Sequence, residues 1–438
     1  MEEEKGDDEV LARSGESGVY GQVEQSDPWS TGEIKNLQTK WLQQELEEGV
    51  SSDKELEEST LIPSLSLGRR SFASLRGHSI DRNENVLERT ISNISDADLS
   101  HEIKDNQDKY QRLIEYVDIL AHLALFGIIG VLIRYGLEVL FDNALSVTHE
   151  LTVVYRDLPA NMVGSFFMGW AGIVFKERIR SLSEPLAIGL STGLMGSITT
   201  YAGWNQKMVE LLAKGNVAAS ISGFLLGMSA AAMSLIAGID SAKGLQITFA
   251  KLFPRRNEPA NEDPMQFQLS FHNAIASFVA TVLLLTCACG AALFLLIGGR
   301  SSLGLRTLWF AALVAPPGVW LRWHLARFNG KGIFTKFHWL PVGTLLANLL
   351  GASLDAIIVF LEFVMTSDNA TLVLGGLQLG FVGCLSTVST FVAEIYTMHV
   401  GRKKSRAYAY TFLTIFLGLT SSIFLYCVPS WKLKYLKW

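Results

Sequence analysis

Two asparagines, Asn161 and Asn348, stand 187 residues apart in strongly apolar surroundings, and the same offset relates a set of their neighbours. It carries Gly164 to Gly351, Gly193 to Gly380, Gly196 to Gly383, Thr199 to Ser386, Thr200 to Thr387 and Trp204 to Phe391. An Asn amide offers two N–H groups and no net charge. An aromatic ring has a positive edge and a negative face. Such neutral groups can stand in for lost water around a small anion without trapping it, as a fixed Lys or Arg would. Bond-making chemistry is not indicated. His122, His272 and His324 are scattered near span ends, away from carboxylates or cysteines at ligand spacing, and no Gly-x-x-x-x-Gly-Lys-Ser/Thr loop occurs. An offset that holds across two helices needs two copies of one unit. Repeats of this kind are how many channels and transporters build a path between pseudo-symmetric halves.

The elements that must position these residues are membrane helices. The 438 residues are 49% apolar and 18% charged, with a mean hydropathy of +0.26. Residues 1–115 are rich in Glu, Ser, Asp and Lys and read as a disordered cytosolic tail, with Asp98 to Tyr116 a candidate amphipathic helix. The start, Met-Glu-Glu-Glu-Lys, has no basic or apolar leader region, so the first apolar segment is expected to serve as its own targeting signal. A net charge of −5 points to no nucleic-acid partner. Cys287, Cys289, Cys384 and Cys427 all lie in apolar stretches and suggest neither disulfides nor zinc.

Stretches of membrane length give about nine spans, near 118–141, 158–177, 185–213, 217–239, 272–298, 304–325, 338–363, 370–397 and 407–429. Basic loops at Lys176 to Arg180, Lys251 to Arg256, Lys331 to Lys336 and Arg402 to Arg406 are placed in the cytosol by the positive-inside rule. Four crossings return the chain to its starting side, so the fifth span must carry it over for the second set of four to be inverted. The expected organisation is therefore an all-α membrane protein: tail 1–115, repeat one 116–240, linker with an inverting helix 241–300, repeat two 301–430, and a short end 431–438.

Three segments recur in each half. The first is Gly130-Val-Leu-Ile-Arg134 and Gly318-Val-Trp-Leu-Arg322; the second is Asn161-Met-Val-Gly164 and Asn348-Leu-Leu-Gly351. The third is Gly193-Leu-Met-Gly196-Ser-Ile-Thr199-Thr200-Tyr201-Ala-Gly-Trp204 and Gly380-Phe-Val-Gly383-Cys-Leu-Ser386-Thr387-Val388-Ser389-Thr390-Phe391. All three in order, twice, with a span between, resemble the Fluc/CrcB fluoride channels and their eukaryotic two-domain FEX relatives. The resemblance covers about 118–239 and 304–429.

The resemblance implies a fluoride path contacted by Asn161 and Asn348, although buried Asn also ties membrane helices together. Ring edges are expected from Tyr201, Trp204 and Phe391, and hydroxyls from Thr387, Ser389 and Thr390. Only Phe391 keeps the family's phenylalanine; Val388 replaces the other ring in repeat two. Tyr410 and Thr414 offer a polar track in the fourth helix of repeat two, where repeat one has Ala219 and Gly223. One working path and one degenerate path follow. Backbone carbonyls of Gly196, Thr199, Gly383 and Ser386 are expected to hold a structural sodium ion, the alternative being a glycine kink closed by side chains. Arg134 and Arg322, charges at membrane depth, are expected either to widen a vestibule or to pair with carbonyls.

The implied activity is passive fluoride export. A negative-inside potential drives an anion outward by about 2.3 kcal/mol per 100 mV, so an open selective path suffices. The expected partners are fluoride and lipid, with the fused repeats working as a monomer in the plasma membrane. A proton-coupled antiporter using Asp355 or Glu394 is the alternative, and a membrane protein signalling through its acidic tail is a third.

Overall fold

The computed structural model describes residues 83–144, 153–252, 264–297, 302–331 and 337–432. Among these residues the chain is helical, with no strand. The first helix, α1 (Asn83–Val139), begins inside the segment expected to be a disordered tail and runs unbroken into the first apolar span. No Gly or Pro occurs between Asn83 and Gly127, so nothing local stops the helix from extending back. The expected tail at 1–82 lies outside the described residues, as do the linker positions 253–263 and the end at 433–438.

Repeat one continues with α2 (Leu158–Phe167), α3 (Lys176–Leu182) and α4 (Glu184–Ile188). The short α5 (Gly196–Ile198) then gives way to α6 (Ala202–Ala213). The long α7 (Val217–Leu252) closes the repeat, and α8 (Pro264–Ile297) links it to the second. Repeat two comprises α9 (Leu303–Ala326), α10 (Val342–Val364), α11 (Asp368–Gly376), α12 (Gly383–Leu385), α13 (Ser389–Val400) and α14 (Lys404–Ser422). The terminal turn is α15 (Val428–Lys432).

Among the described residues five helices are long and apolar enough to cross a membrane: Arg112–Asp142, Val217–Thr248, Val342–Val364, Asp368–Val400 and Lys404–Lys432. A sixth arises if Leu158–Val174 and Lys176–Leu182, bent by 67°, form one span. Of the other expected spans, 185–213 is diluted by Gly, Ser and Thr and carries Lys207 and Glu210, and 304–325 carries Arg306, Pro316, Pro317 and Arg322; within α8 the apolar helix among the described residues is Thr281–Ile297. Large side chains such as Leu225, Met233, Phe294, Phe412 and Phe424 face outward from these helices, as lipid-facing positions require.

The third helix is broken in both repeats at the same place. Thr199 (ψ 147°) and Ser386 (ψ 157°) leave the helical conformation and interrupt the backbone ladder. The two breaks face each other, and α1 meets α9 beside them through Leu123, Val131, Ala311, Ala315 and Val319. Small residues there let the helices approach closely.

Candidate functional site

Each asparagine reaches across to the break of its own repeat. Asn161 Oδ1 accepts from the Thr200 N–H at 2.8 Å, and its Nδ2 donates to the Thr200 carbonyl at 3.1 Å. Asn348 does the same with Thr387, at 2.8 and 3.1 Å. One amide therefore pairs with both backbone groups of a residue that the helix has released. The difference between the repeats lies in the second N–H. Asn161 donates it to the Tyr155 hydroxyl at 3.3 Å, whereas Val342 occupies the matching position in repeat two. Asn348 keeps that N–H without a protein partner among the described residues, in a fully buried setting.

The rings sort in the same way. Tyr201 leaves its own repeat and donates its hydroxyl to the Thr414 carbonyl at 3.1 Å. Its ring meets Phe391 near-perpendicular at 6.2 Å, and Tyr410 meets Phe391 likewise at 5.1 Å. Edge-to-face packing of this sort presents ring hydrogens along the line of contact. Trp204 turns the other way: it donates to the Gly223 carbonyl at 3.2 Å and packs on Tyr155 and Phe224. Val388 joins that same apolar cluster with Met208. Trp204, Tyr155, Met208 and Val388 thus fill the repeat-one position with bulk, while Phe391 at the repeat-two position packs with Tyr410 and Val342, and Tyr201 touches both Phe391 and Trp204.

The polar track is more committed than its sequence suggested. Tyr410 donates its hydroxyl to Glu394 Oε2 at 2.7 Å, and Thr414 donates to the Tyr410 carbonyl at 2.9 Å. Thr344 and Asn329 also donate to Glu394 Oε1, at 2.6 and 3.3 Å. Asn329, Thr344 and Glu394 therefore belong to the site, although sequence reading had given only Glu394 a role, as a candidate proton carrier. The repeat offset was the available signal, because it pairs Thr344 with Asp157 and Glu394 with Lys207.

The hydroxyls expected to line the path lie in the seam between the breaks. Thr199 Oγ1 accepts from the N–H groups of Val388 and Ser389, at 3.2 and 3.1 Å, so repeat one caps the start of α13. Ser386 Oγ accepts from the Ala202 N–H at 3.0 Å and caps α6 in return. Thr387 and Ser389 hydroxyls lie 3.1 and 3.0 Å from Thr199 Oγ1, and Ser389 also donates to the Met195 carbonyl. Thr390 is half-buried and 3.5 Å from Thr387 Oγ1.

The arginines act across the same seam. Arg134 of repeat one donates to the carbonyls of Leu379 and Gly383 in repeat two. Arg322 donates to those of Thr192 and Gly196 in repeat one. These are matching carbonyls by the repeat offset, so the exchange is reciprocal. Glycine at both receiving positions makes room for the arriving guanidinium, which a Cβ at Gly196 or Gly383 would displace. Arg134 also lines a cavity of about 610 Å³ beside Gly383.

The expected sodium donors divide into two pairs. Gly196 and Gly383 carbonyls already accept from guanidinium groups and retain one lone pair each. Among the described residues the Thr199 and Ser386 carbonyls accept no hydrogen bond. Open carbonyl oxygens of this kind suit a hard monovalent cation, so the set can still hold one.

The model of the family described as "CrcB-like protein, Camphor Resistance (CrcB)" matches residues 121–239 and again 309–425. The chain belongs to this CrcB-like family. Among relatives, "Fluoride export protein 1" of Candida albicans is 25% identical over 355 residues, covering 74% of this chain and 82% of the relative. Its namesake in Neurospora crassa is 25% identical over 361 residues, or 69% of this chain and 65% of the relative. "Fluoride-specific ion channel FluC" of Salinibacter ruber is 36% identical over 107 residues, 24% of this chain and 76% of the relative. No solved structure matches. The fungal relatives span both CrcB-like units, whereas the bacterial one spans a single unit, which accords with two copies fused here.

Proposed function

We propose that this CrcB-like chain is a passive fluoride channel with one conducting path, built on repeat two and completed by Tyr201 from repeat one. The observation that carries the reading is the second N–H of Asn348, buried and without a partner among the described residues; Val342, which stands where Tyr155 meets Asn161 in repeat one, packs in the cluster of Phe391 and Tyr410. In repeat one the matching N–H is held by Tyr155 and the matching space is filled by Trp204. The relatives named as fluoride exporters and fluoride-specific channels supply the ion.

A dehydrated fluoride would take N–H from Asn348 and ring hydrogens from Phe391 and its two neighbours. None of these groups carries a charge that would hold the ion. Glu394 orients the Thr344 and Tyr410 hydroxyls and the Asn329 amide around the path. Arg134 and Arg322 hold the breaks, and with them the backbone that positions both asparagines. A sodium ion on the Thr199 and Ser386 carbonyls would add fixed positive charge at the seam. The fused repeats work as a monomer in the plasma membrane, with residues 1–115 in the cytosol.

The test is fluoride efflux from liposomes, followed with a fluoride electrode and with chloride as control anion. Asn348→Ala and Phe391→Ala should each lower fluoride flux at least tenfold, whereas Trp204→Phe should not. Equal losses in both repeats would show two paths. Flux that occurs only with a proton gradient would establish the antiporter instead.

A further inference from the structure

The 610 Å³ cavity holds two buried polar side chains that the fluoride path does not use. Asp355 is fully buried at 0% exposure, and among the described residues neither carboxylate oxygen has a hydrogen-bond partner. Gln206 is 3% exposed, and its amide oxygen and nitrogen likewise find no partner among the described residues. Both side chains line the cavity, as does Gln378, which lies beside Asp355 without completing a hydrogen bond. A buried carboxylate with no donor is expensive unless something positive answers it.

The surroundings point to what that is. Glu138, Asp157, Glu210 and Glu362 line the same cavity, as does Asp142, against Arg134, Arg156 and Lys207. Glu138 is engaged by Arg156 at 3.2 Å, and Arg134 by the carbonyls of repeat two. The cavity therefore carries excess negative charge, with its least satisfied carboxylate at depth. This charge is absent from the pseudo-symmetric positions: Asp355, Gln206, Gln378 and Glu362 correspond to Met168, Ala393, Ser191 and Phe175. Among the described residues no three His, Cys, Asp or Glu side chains converge, so a zinc-like or calcium-like cage is not formed. One carboxylate with two neutral amide oxygens suits a partly hydrated monovalent cation.

We propose that Asp355, Gln206 and Gln378 form a binding site for a small monovalent cation, entered through the acidic cavity and separate from the carbonyls of the helix breaks. The site does not depend on the identity of the transported anion. Occupancy places a positive charge within the otherwise acidic cavity on the side that the loop charges assign to the exterior.

The full chain, purified in detergent, is melted at fixed pH and ionic strength in the chloride salts of sodium, potassium or N-methylglucamine. A bound cation raises the melting temperature in a saturable way, because it binds the folded state alone. The wild type should melt higher in sodium or potassium than in N-methylglucamine. Asp355→Asn should raise the half-saturating concentration at least tenfold, and Gln378→Leu, which leaves the charge in place, should raise it severalfold. No cation response in the wild type overturns the proposal, as does a response that both variants retain unchanged; the latter would place the cation at the breaks. A melting temperature that rises on acidification and ignores the cation also overturns it, in favour of a proton on Asp355.

Discussion

Asn161 and Asn348 make the same two bonds to the breaks, yet one hydroxyl separates their remaining chemistry. Tyr155→Phe removes that hydroxyl without changing the ring. The expected cost is about 1 kcal/mol for one neutral hydrogen bond, read as a lower melting temperature, with fluoride flux unchanged. A gain of a second conducting path would also be seen as flux surviving Asn348→Ala, and would show that Tyr155 is what closes repeat one. The equivalent bonding of the two asparagines to their breaks was legible from spacing, because a repeat offset exposes positions that the fold uses twice. The Tyr155 contrast was not, since the offset pairs it with an ordinary Val342. Thr387 and Ser389 read as path hydroxyls in the sequence, but a hydroxyl at membrane depth suits a path or a seam equally, and their contact with Thr199 across the seam was not legible in local spacing.

At the scale of elements, the broken third helices are stable because each supplies what the other lacks. Thr199 caps α13 and Ser386 caps α6, across the seam. Loss of a helix-capping hydroxyl costs about 0.5–2 kcal/mol, so Thr199→Val and Ser386→Ala should each lower the melting temperature. The double variant should lose close to the sum if the two caps are independent. Arg134→Ala or Arg322→Ala strands two buried carbonyls, at about 1–3 kcal/mol each, and should destabilise more than either cap. Gly383→Ala should resemble Arg134→Ala, because its Cβ would displace the guanidinium. The sequence marked the breaks through paired glycines and marked the arginines as costly charges. It did not show that each arginine serves the opposite repeat, because a contact across a seam leaves no trace in local spacing. Helix α1 extends back to Asn83 because a run without Gly or Pro carries a helix past its apolar part.

At the scale of the whole molecule, the two CrcB-like units meet as reciprocal halves, with α8 between them. Replacing sodium by N-methylglucamine on both sides of the liposome should slow fluoride efflux if a cation at the break carbonyls stiffens the seam; a rate that does not change would leave bracing to the arginines alone. The general architecture was readable because membrane length and loop charge are properties of long segments. Span number is less sharply marked: 304–325 reads as a span in the sequence, yet Arg306, Arg322 and two prolines give α9 a less apolar character than the five long helices. The arginine exchange also bears on what can be taken apart. Halves made as separate polypeptides would each keep an orphaned cation and a pair of naked carbonyls, so only co-synthesis should yield a stable product. On the proposed single path, the silent unit is a scaffold its working sibling cannot shed, which is reason enough for a closed passage to keep its shape.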